Sequence, residues 1–297
     1  MTRRERANLR NGLLFAAPFI VGFLAVYLYP LVMTMVYSLQ RYNVIKPPVW
    51  VGLANYRELL VEDPRFWTAL YNTVYFTVLS VPLGLALALG LAMLLSLKVR
   101  GQAVYRTIFF LPTIVPVVAS AVLWMWVFNP QSGLLNGTLQ EFFGIEGPGW
   151  MADEHWSKPA LILMSFWTVG GAMVIFLAGL ADVPQSLYEV ADIDGAGPFR
   201  RFWNVTLPMV TPVILFNLVI GLINGFQYFT QVYVMTNGRG EPVGSTMFYA
   251  LYLYRNSFYY LNMGYGSAMA WIMFLIILSA TLAVMLSSKR WVHYHGE

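Results

Sequence analysis

Residues 184–208 read PQSLYEVADIDGAGPFRRFWNVTLP, a polar segment between two strongly apolar runs. Ser186 stands three residues before Glu189, a spacing in which each side chain can satisfy a backbone N–H at the start of a helix. Glycine tolerates the left-handed conformation that ends many helices. We therefore expect a helix from Leu187 to about Asp194 that stops at Gly195.

A second short helix is expected from Phe199 to about Thr206, after the break that Gly197 and Pro198 make. It leads into Leu207-Pro208, where the next apolar run starts. The whole segment is thus predicted to be a helix–glycine–helix elbow, held between two apolar runs, that a partner can grip from one side.

The composition predicts an all-α integral membrane protein. Of the 297 residues, 58% are hydrophobic and only 11% are charged, too few charges for a soluble domain of this size. Each of six runs is free of Asp, Glu, Lys, Arg and His and exceeds the roughly 20 residues that a membrane-spanning helix needs. These predicted transmembrane helices, within a single domain over 1–297, are 13–38, 68–97, 107–129, 159–181, 208–234 and 264–288.

The first run could instead be a cleavable signal peptide, because four arginines precede it. Its apolar stretch is too long for one, and no convincing small-x-small cleavage site follows. We therefore expect a retained transmembrane helix.

The basic residues predict the orientation of these helices. With the N-terminus inside, the inner segments hold 11 Lys and Arg in 56 residues, and the outer segments hold 7 in 87. Cytoplasmic segments of membrane proteins carry such an excess. Both termini and the segment 182–207 are therefore expected in the cytoplasm, and the basic excess gives no reason to expect nucleic-acid binding.

The elbow also carries a family resemblance. Glu189-Val190-Ala191, Asp194-Gly195-Ala196 and Leu207-Pro208 resemble the "EAA" loop of permease subunits from binding-protein-dependent ABC importers, with Val190 where alanine is usual. In that family the loop is a coupling helix that sits in a cleft of the ATPase subunit. The residues of the elbow that we expect to take part in ATPase coupling are Ser186, Glu189, Ala191, Asp192, Asp194, Gly195 and Ala196.

Other motifs extend the resemblance over nearly the whole chain. Gly52-Leu53-Ala54-Asn55-Tyr56, Asp63-Pro64-Arg65-Phe66-Trp67 and Ala69-Leu70-Tyr71-Asn72-Thr73 resemble the opening of sugar-transporting ABC permeases. Phe110-Leu111-Pro112 and Tyr233-Val234-Met235-Thr236 resemble later segments of the same group. The chain looks most like the first permease of the maltose-permease-like pair, which implies the type I importer permease fold.

The resemblance also implies partners and a location. A second homologous permease chain, two ABC ATPase subunits that hold ATP and Mg²⁺, and an extracytoplasmic sugar-binding protein are expected around this chain. It would lie among the lipids of the cytoplasmic (inner) membrane of a prokaryote, as a non-catalytic subunit without a cofactor of its own. The sequence contains no GxxxxGK[ST] motif for ATP. Import rather than export follows from the resemblance alone.

Polar residues in the fifth run predict a substrate pathway. Four of them recur at i, i+3, i+4 and i+7, the spacing of one helical face, and amides that faced lipid would cost several kcal/mol each. An uncharged polyol would suit such a lining, although the amides could instead bind neighbouring helices. With two residues of the fourth run, the candidate pathway residues are Trp167, Thr168, Asn224, Gln227, Tyr228 and Gln231.

The membrane spans lack the residues that two other classes of function need. An ion-coupled secondary transporter of a neutral solute is the alternative, but such proteins usually need an ionisable residue at membrane depth. An intramembrane enzyme would need a nucleophile, base or metal site within the spans, which contain no Cys, His, Asp or Glu. We expect no metal site at Asp153-Glu154-His155, because three adjacent side chains cannot converge on one ion, nor at His293 and His295.

Pro112 and Pro116 predict a kink in the third run.

Overall fold

The structure, a computed structural model, describes residues 2–97 and 100–293 of a mostly helical chain. His295 lies outside these described residues. By contacts the chain divides into two compact units, one formed by Met1–Asp63 with Leu253–Phe274 and the other by Pro64–Tyr252 with Leu275–Glu297. Each unit is described by itself below.

The first unit begins with a helical run from Arg3 to Ser38, which Thr2 and Glu5 start with a capping box. Its elements are α1 (Arg3–Gly22), a π-helical stretch (Phe23–Leu28), α2 (Tyr29–Ser38), β1 (Gln40–Arg41), β2 (Val49–Trp50), α3 (Ala54–Arg57) and a π-helical turn (Glu58–Glu62). Two later helices cross the unit boundaries, α14 (Tyr249–Tyr254) and α15 (Met263–Ser288), and a π-helical turn (Arg255–Tyr259) follows α14.

A short antiparallel ladder shows that the chain is not wholly helical. Gln40 and Arg41 pair with Trp50 and Val49, respectively. The Asn55 amide donates to the carbonyl of Gln40 at 2.9 Å and so ties the ladder to α3. The chain is otherwise mostly helical, as the sequence predicts, and in this loop the extended backbone pairs across two short strands.

The second unit contains the remaining helices. They are α4 (Pro64–Ser96), α5 (Gln102–Phe110), a 3₁₀ turn (Leu111–Ile114), α6 (Val117–Val127), α7 (Leu134–Phe143), a 3₁₀ turn (Trp150–Ala152), α8 (Ser157–Phe166), α9 (Gly170–Ala181), α10 (Gln185–Ile193), α11 (Pro198–Arg201), a π-helical turn (Phe202–Thr206), α12 (Leu207–Phe226) and α13 (Thr230–Met235).

Two of the predicted spans are broken helices. The third run bends by 100° between Ile114 and Val117, and the fourth bends by 45° between α8 and α9. Pro116 forces the residue before it, Val115, into an extended conformation with ψ 129°, so the predicted kink is a sharp corner. Within the described residues, four helices are long and apolar enough to cross a membrane, or six if each bent pair is one crossing.

Glycine lets α12 lie close against α4. A Cβ added at Gly221 would be 2.7 Å from Val81 Cγ1, and one added at Gly225 would be 2.8 Å from Thr77 Cγ2. Small residues four apart on an apolar helix permit such close approach of two backbones. This contact positions one face of α12 beside α4.

Two apolar clusters hold the second unit together. The first joins α4, α6, α8 and α13, and its buried members are Phe76, Ala121, Phe128, Ala160, Leu161, Ile162, Met164, Val232, Met235, Phe248 and Leu251. The second joins α4, α9 and α12 near the elbow, and its buried members are Ala88, Leu89, Ala92, Leu95, Met173, Phe176, Val183 and Val210.

Candidate functional site

The first helix of the elbow is α10, and it begins differently from the prediction. Pro184 occupies the N-cap with ψ 128°, and no side chain caps the helix. Ser186 is therefore already inside the first turn, where its hydroxyl does not meet the N-cap geometry that the pairing with Glu189 requires. The predicted capping box is wrong, and α10 starts at Gln185 instead of Leu187.

The predicted end of α10 is confirmed. Gly195 adopts φ +70°, and its N–H donates to the Asp192 carbonyl at 3.1 Å. The Ala196 N–H reaches back to the Ala191 carbonyl at 2.8 Å. These two bonds form a Schellman motif, with Asp194 as the C-cap residue.

The second arm of the elbow is continuous with the next long helix. α11 begins at Pro198 and passes through the π-helical turn Phe202–Thr206 into α12 without a break. Pro208 has no N–H to donate, and the wider turn immediately before α12 accommodates this within the first turn of α12. The expectation of a separate short helix that stops near Thr206 is therefore wrong.

Two side-chain contacts join the arms. Asp192 Oδ1 lies 2.7 Å from Arg201 Nη1, so α10 is ion-paired to α11. The Tyr188 hydroxyl lies 3.0 Å from the buried Thr206 hydroxyl. Both contacts connect α10 to the arm that leads into α12.

The elbow carries several exposed apolar side chains. Ile193 is 85% exposed and Phe199 is 77% exposed, and Val190 and Trp203 are also exposed. Glu189 is exposed as well and makes no ion pair or side-chain hydrogen bond within the described residues. Contiguous exposed apolar side chains mark sites of interaction.

A cavity with several polar side chains in its lining lies among α4, α8, α9 and α12. Two adjoining spaces of about 450 and 320 Å³ share Ser165, Thr168, Gly171, Tyr228 and Gln231. None of the described residues that line them carries a charge. The polar side chains of the larger space are Ser80, Ser165, Thr168, Asn217, Asn224, Tyr228 and Gln231.

The structure brings four of the six predicted pathway residues together. Thr168, Asn224, Tyr228 and Gln231 line the cavity. Gln227 is exposed and is not among the described residues that line the two spaces. Trp167 also lies outside both linings, and its ring packs edge-on against Trp124 with centroids 6.1 Å apart.

The predicted helical stripe is interrupted. α12 ends at Phe226, and α13 starts only at Thr230, so the four residues do not share one continuous helix. Phe229, with φ −134° and ψ −60°, separates the two helices. The cavity instead collects Asn224 from α12, Tyr228 from the break and Gln231 from α13.

Some lining residues give little signal in the sequence. Phe76 and Ser80 belong to α4, where a serine and a phenylalanine look like ordinary members of an apolar run. The Ser165 hydroxyl donates to the carbonyl of Ile162 at 2.6 Å, as a serine that satisfies its own helix would. Asn217, an isolated amide in an apolar run, is the one such residue with a recognisable signal.

The other candidate groups make local contacts. The His155 N–H donates to Asp153 Oδ1 at 2.7 Å, and this hydrogen bond lowers the pKa of the exposed Asp153 carboxyl. The His293 N–H donates to the Thr211 hydroxyl at 3.0 Å. In the described parts of the chain, no three His, Asp or Glu side chains are grouped to hold a metal ion.

An uncharged cavity among long apolar helices, together with an exposed elbow, is the arrangement expected of a membrane permease. Residues 80–293 match the family described as "Binding-protein-dependent transport system inner membrane component". The chain belongs to this family.

Similar proteins cover the chain almost completely. The probable ABC transporter permease protein YesP of Bacillus subtilis (strain 168) is 40% identical and aligns with 100% of this chain and 96% of its own length. The arabinooligosaccharides transport system permease protein AraP of the same strain is 33% identical over 96% of this chain and 89% of its own.

A solved structure shares the fold. It is that of a bacterial ABC transporter involved in the import of the acidic polysaccharide alginate, and one of its chains matches with a TM-score of 0.83 at 23% identity. The match covers 97% of this chain and 99% of the other. The chain therefore has the ABC importer permease fold that the elbow motif and the loop motifs led us to expect.

Proposed function

We propose that the chain is the transmembrane permease subunit of an ATP-driven importer of sugars or oligosaccharides. The observation that carries this proposal is the uncharged cavity, whose amides and hydroxyls lie beside the Phe76 and Tyr228 rings. Amides and hydroxyls can exchange hydrogen bonds with sugar hydroxyls, and aromatic rings can cover the apolar faces of a sugar. The names of relatives such as AraP support a sugar as the cargo.

We place both termini and the elbow in the cytoplasm of a prokaryotic cell, with six crossings of the cytoplasmic membrane. The excess of basic residues in the segments assigned to the inside supports this orientation. Six crossings require that each bent pair, α5 with α6 and α8 with α9, counts as one. The ordinary membrane lipids then surround the apolar outer faces.

The elbow is the proposed contact with an ATP-hydrolysing partner. Its exposed Ile193 and Phe199 can be buried in a cleft of that partner, and the free carboxylate of Glu189 can pair with a cation there. ATP and Mg²⁺ are bound by two such partner subunits in this scheme. The seven residues predicted from the sequence to take part in coupling all lie on α10 and the turn that follows it.

Transport follows from alternating access of the cavity. Asn217 and Asn224 are on α12, the helix that continues directly from the elbow, so a displacement of the elbow moves part of the cavity wall. A second homologous permease chain is proposed to complete the pathway. An extracytoplasmic sugar-binding protein is proposed to deliver the cargo; the family description supports dependence on a binding protein.

The proposal is tested by expressing the chain with its neighbouring transporter subunits and purifying the complex into lipid vesicles. A panel of neutral and acidic sugars is added with the external binding protein, and ATP hydrolysis and uptake are measured together. The proposal expects at least one sugar to stimulate both. Uptake that follows an ion gradient and needs no ATP would contradict it.

The Glu189→Gln variant tests the contact with the ATPase. Because Glu189 does not cap its own helix, the substitution should leave α10 intact while it removes the charge. We expect weaker retention of the ATPase during purification. Normal assembly and transport would rule out a role of the Glu189 charge in this contact.

A further inference from the structure

Two side-chain contacts join the arms of the elbow, and each connects a residue before the Gly195 turn to a residue after it. The Asp192–Arg201 ion pair is close at 2.7 Å, although Arg201 is still one-third exposed. The Tyr188–Thr206 hydrogen bond lies on the side of the apolar cluster. Together these contacts restrain both the separation and the rotation of α10 relative to α11.

The backbone leaves little freedom within the turn itself. The Schellman bonds from Gly195 and Ala196 close the end of α10. Tyr188 and Phe202 pack against the cluster around the buried Val183. The arms can still open about residues 196–198, a segment that is spanned by the Asp192–Arg201 pair at the water-exposed side and by the Tyr188–Thr206 bond at the side of the apolar cluster.

We propose that Asp192 and Arg201 form a clamp that makes α10 a rigid lever on α12. This inference rests on the proposed function, in which the ATPase displaces α10. An elbow that could open would absorb that displacement in its own turn. With the clamp closed, the displacement passes through the continuous α11–α12 helix to Asn217 and Asn224 in the cavity wall. Asp192 is then a positioning residue that acts through Arg201, not a direct contact of the ATPase.

The exposure of the pair makes the clamp testable without unfolding the protein. An ion pair this accessible to water contributes little to global stability. The Asp192→Asn and Arg201→Gln variants should therefore fold and assemble, but the distance between α10 and α11 should vary more than in the parent protein. The charge-exchanged variant, Asp192→Arg with Arg201→Asp, should close the clamp again. Arg200→Gln is the matched control, because Arg200 makes no ion pair within the described residues.

The first readout is the distance between the arms. The sequence contains no cysteine, so cysteines introduced at the exposed Gln185 and Asn204 can be spin-labelled without background. Pulsed electron paramagnetic resonance on the complete complex in lipid should give a narrow distribution of label-to-label distances for the parent protein and for Arg200→Gln. Each clamp variant should broaden it, and the exchanged pair should narrow it. Equal widths throughout would overturn the proposal.

The second readout is the number of sugar molecules taken up per ATP hydrolysed. We expect each clamp variant to lower this ratio about three-fold or more, and the exchanged pair to restore it. A broader distance distribution with an unchanged number of sugars per ATP would also overturn the proposal, because a rigid connection between α10 and α12 would then not be needed for transport. If the parent complex shows no ATP-dependent uptake, the proposed function fails, whereas the distance distributions still decide whether the clamp exists.

Discussion

The ring of Phe76 stacks on the ring of Tyr228 with their centroids 4.3 Å apart. Phe248 packs against both rings, so Tyr228 is held at the break between α12 and α13. The Tyr228 hydroxyl is nevertheless buried without a hydrogen-bond partner among the described residues. The pairing thus fixes a ring at the wall of the cavity and leaves a polar group unsatisfied there.

Tyr228→Phe should separate packing from binding. A buried hydroxyl without a partner costs about 1–3 kcal/mol, so its removal should leave the melting temperature unchanged or higher. If the hydroxyl meets a sugar during transport, the sugar concentration for half-maximal uptake should rise about three- to ten-fold. Tyr228→Ala, which also removes the stacked ring, should lower the melting temperature. An unchanged half-maximal concentration in Tyr228→Phe would show that the hydroxyl plays no part in sugar binding.

The cavity predicts which amides matter for uptake. Asn224→Ala combined with Gln231→Ala removes two amides from the lining and should weaken apparent sugar affinity about ten-fold. Gln227→Ala removes the same chemical group from a position outside the lining and should have little effect. Radiolabelled sugar uptake compares the two variants at equal expression. A larger loss in Gln227→Ala would favour the helical stripe over the cavity.

Because α12 lies close to α4, a methyl group added at Gly225 should lower the free energy of unfolding. Gly225→Ala places a Cβ against Thr77, and overpacking of about 1–3 kcal/mol should outweigh the gain of up to about 1 kcal/mol in helix propensity. Gly90→Ala on α4, where nothing lies within 4 Å, is the matched control and should not destabilise. Thermal unfolding in detergent measures both. Adding Thr77→Ala to Gly225→Ala should restore stability, and failure to do so would contradict the packing assignment.

The left-handed turn of the elbow predicts a contrast between two neighbouring glycines. Gly195→Ser forces a side chain into φ +70° at a cost of about 1–2 kcal/mol, which should speed amide hydrogen exchange over α10 about ten-fold. Gly197→Ser should not, because Gly197 has φ −66° and precedes α11 as its N-cap, where serine is favoured. Exchange rates that match in the two variants would contradict the Schellman assignment.

Local rules predicted the end of the elbow better than its beginning. Gly195 was recognisable because few residues other than glycine adopt a left-handed turn at low cost. The capping box failed because its spacing identifies a candidate pair but does not determine which residue begins the helix. Pro184, with its fixed φ, occupies the N-cap position, so Ser186 lies two residues further along, inside the first turn.

The cavity was only half predictable for a related reason. Asn224 and Gln231 attract attention as amides in an apolar run, and the structure places both in the lining. Phe76 and Ser80 do not, because their position depends on how α4 packs against α12, which periodicity within one helix cannot reveal. Periodicity is equally silent about the break before α13, where Tyr228 packs against Phe76 of α4.

The account depends most on the claim that the elbow faces the cytoplasm and seats against an ATP-hydrolysing subunit. Ile193 is the most exposed large hydrophobic side chain of α10, and the sequence contains no cysteine, so Ile193→Cys provides a single reporter. Cross-linking from this cysteine in intact cells, followed by identification of the attached chain, is the direct measurement. We expect a covalent product with the ATPase and no labelling by a membrane-impermeant maleimide added outside. Labelling from the outside, or a product that lacks any nucleotide-hydrolysing chain, would contradict the account.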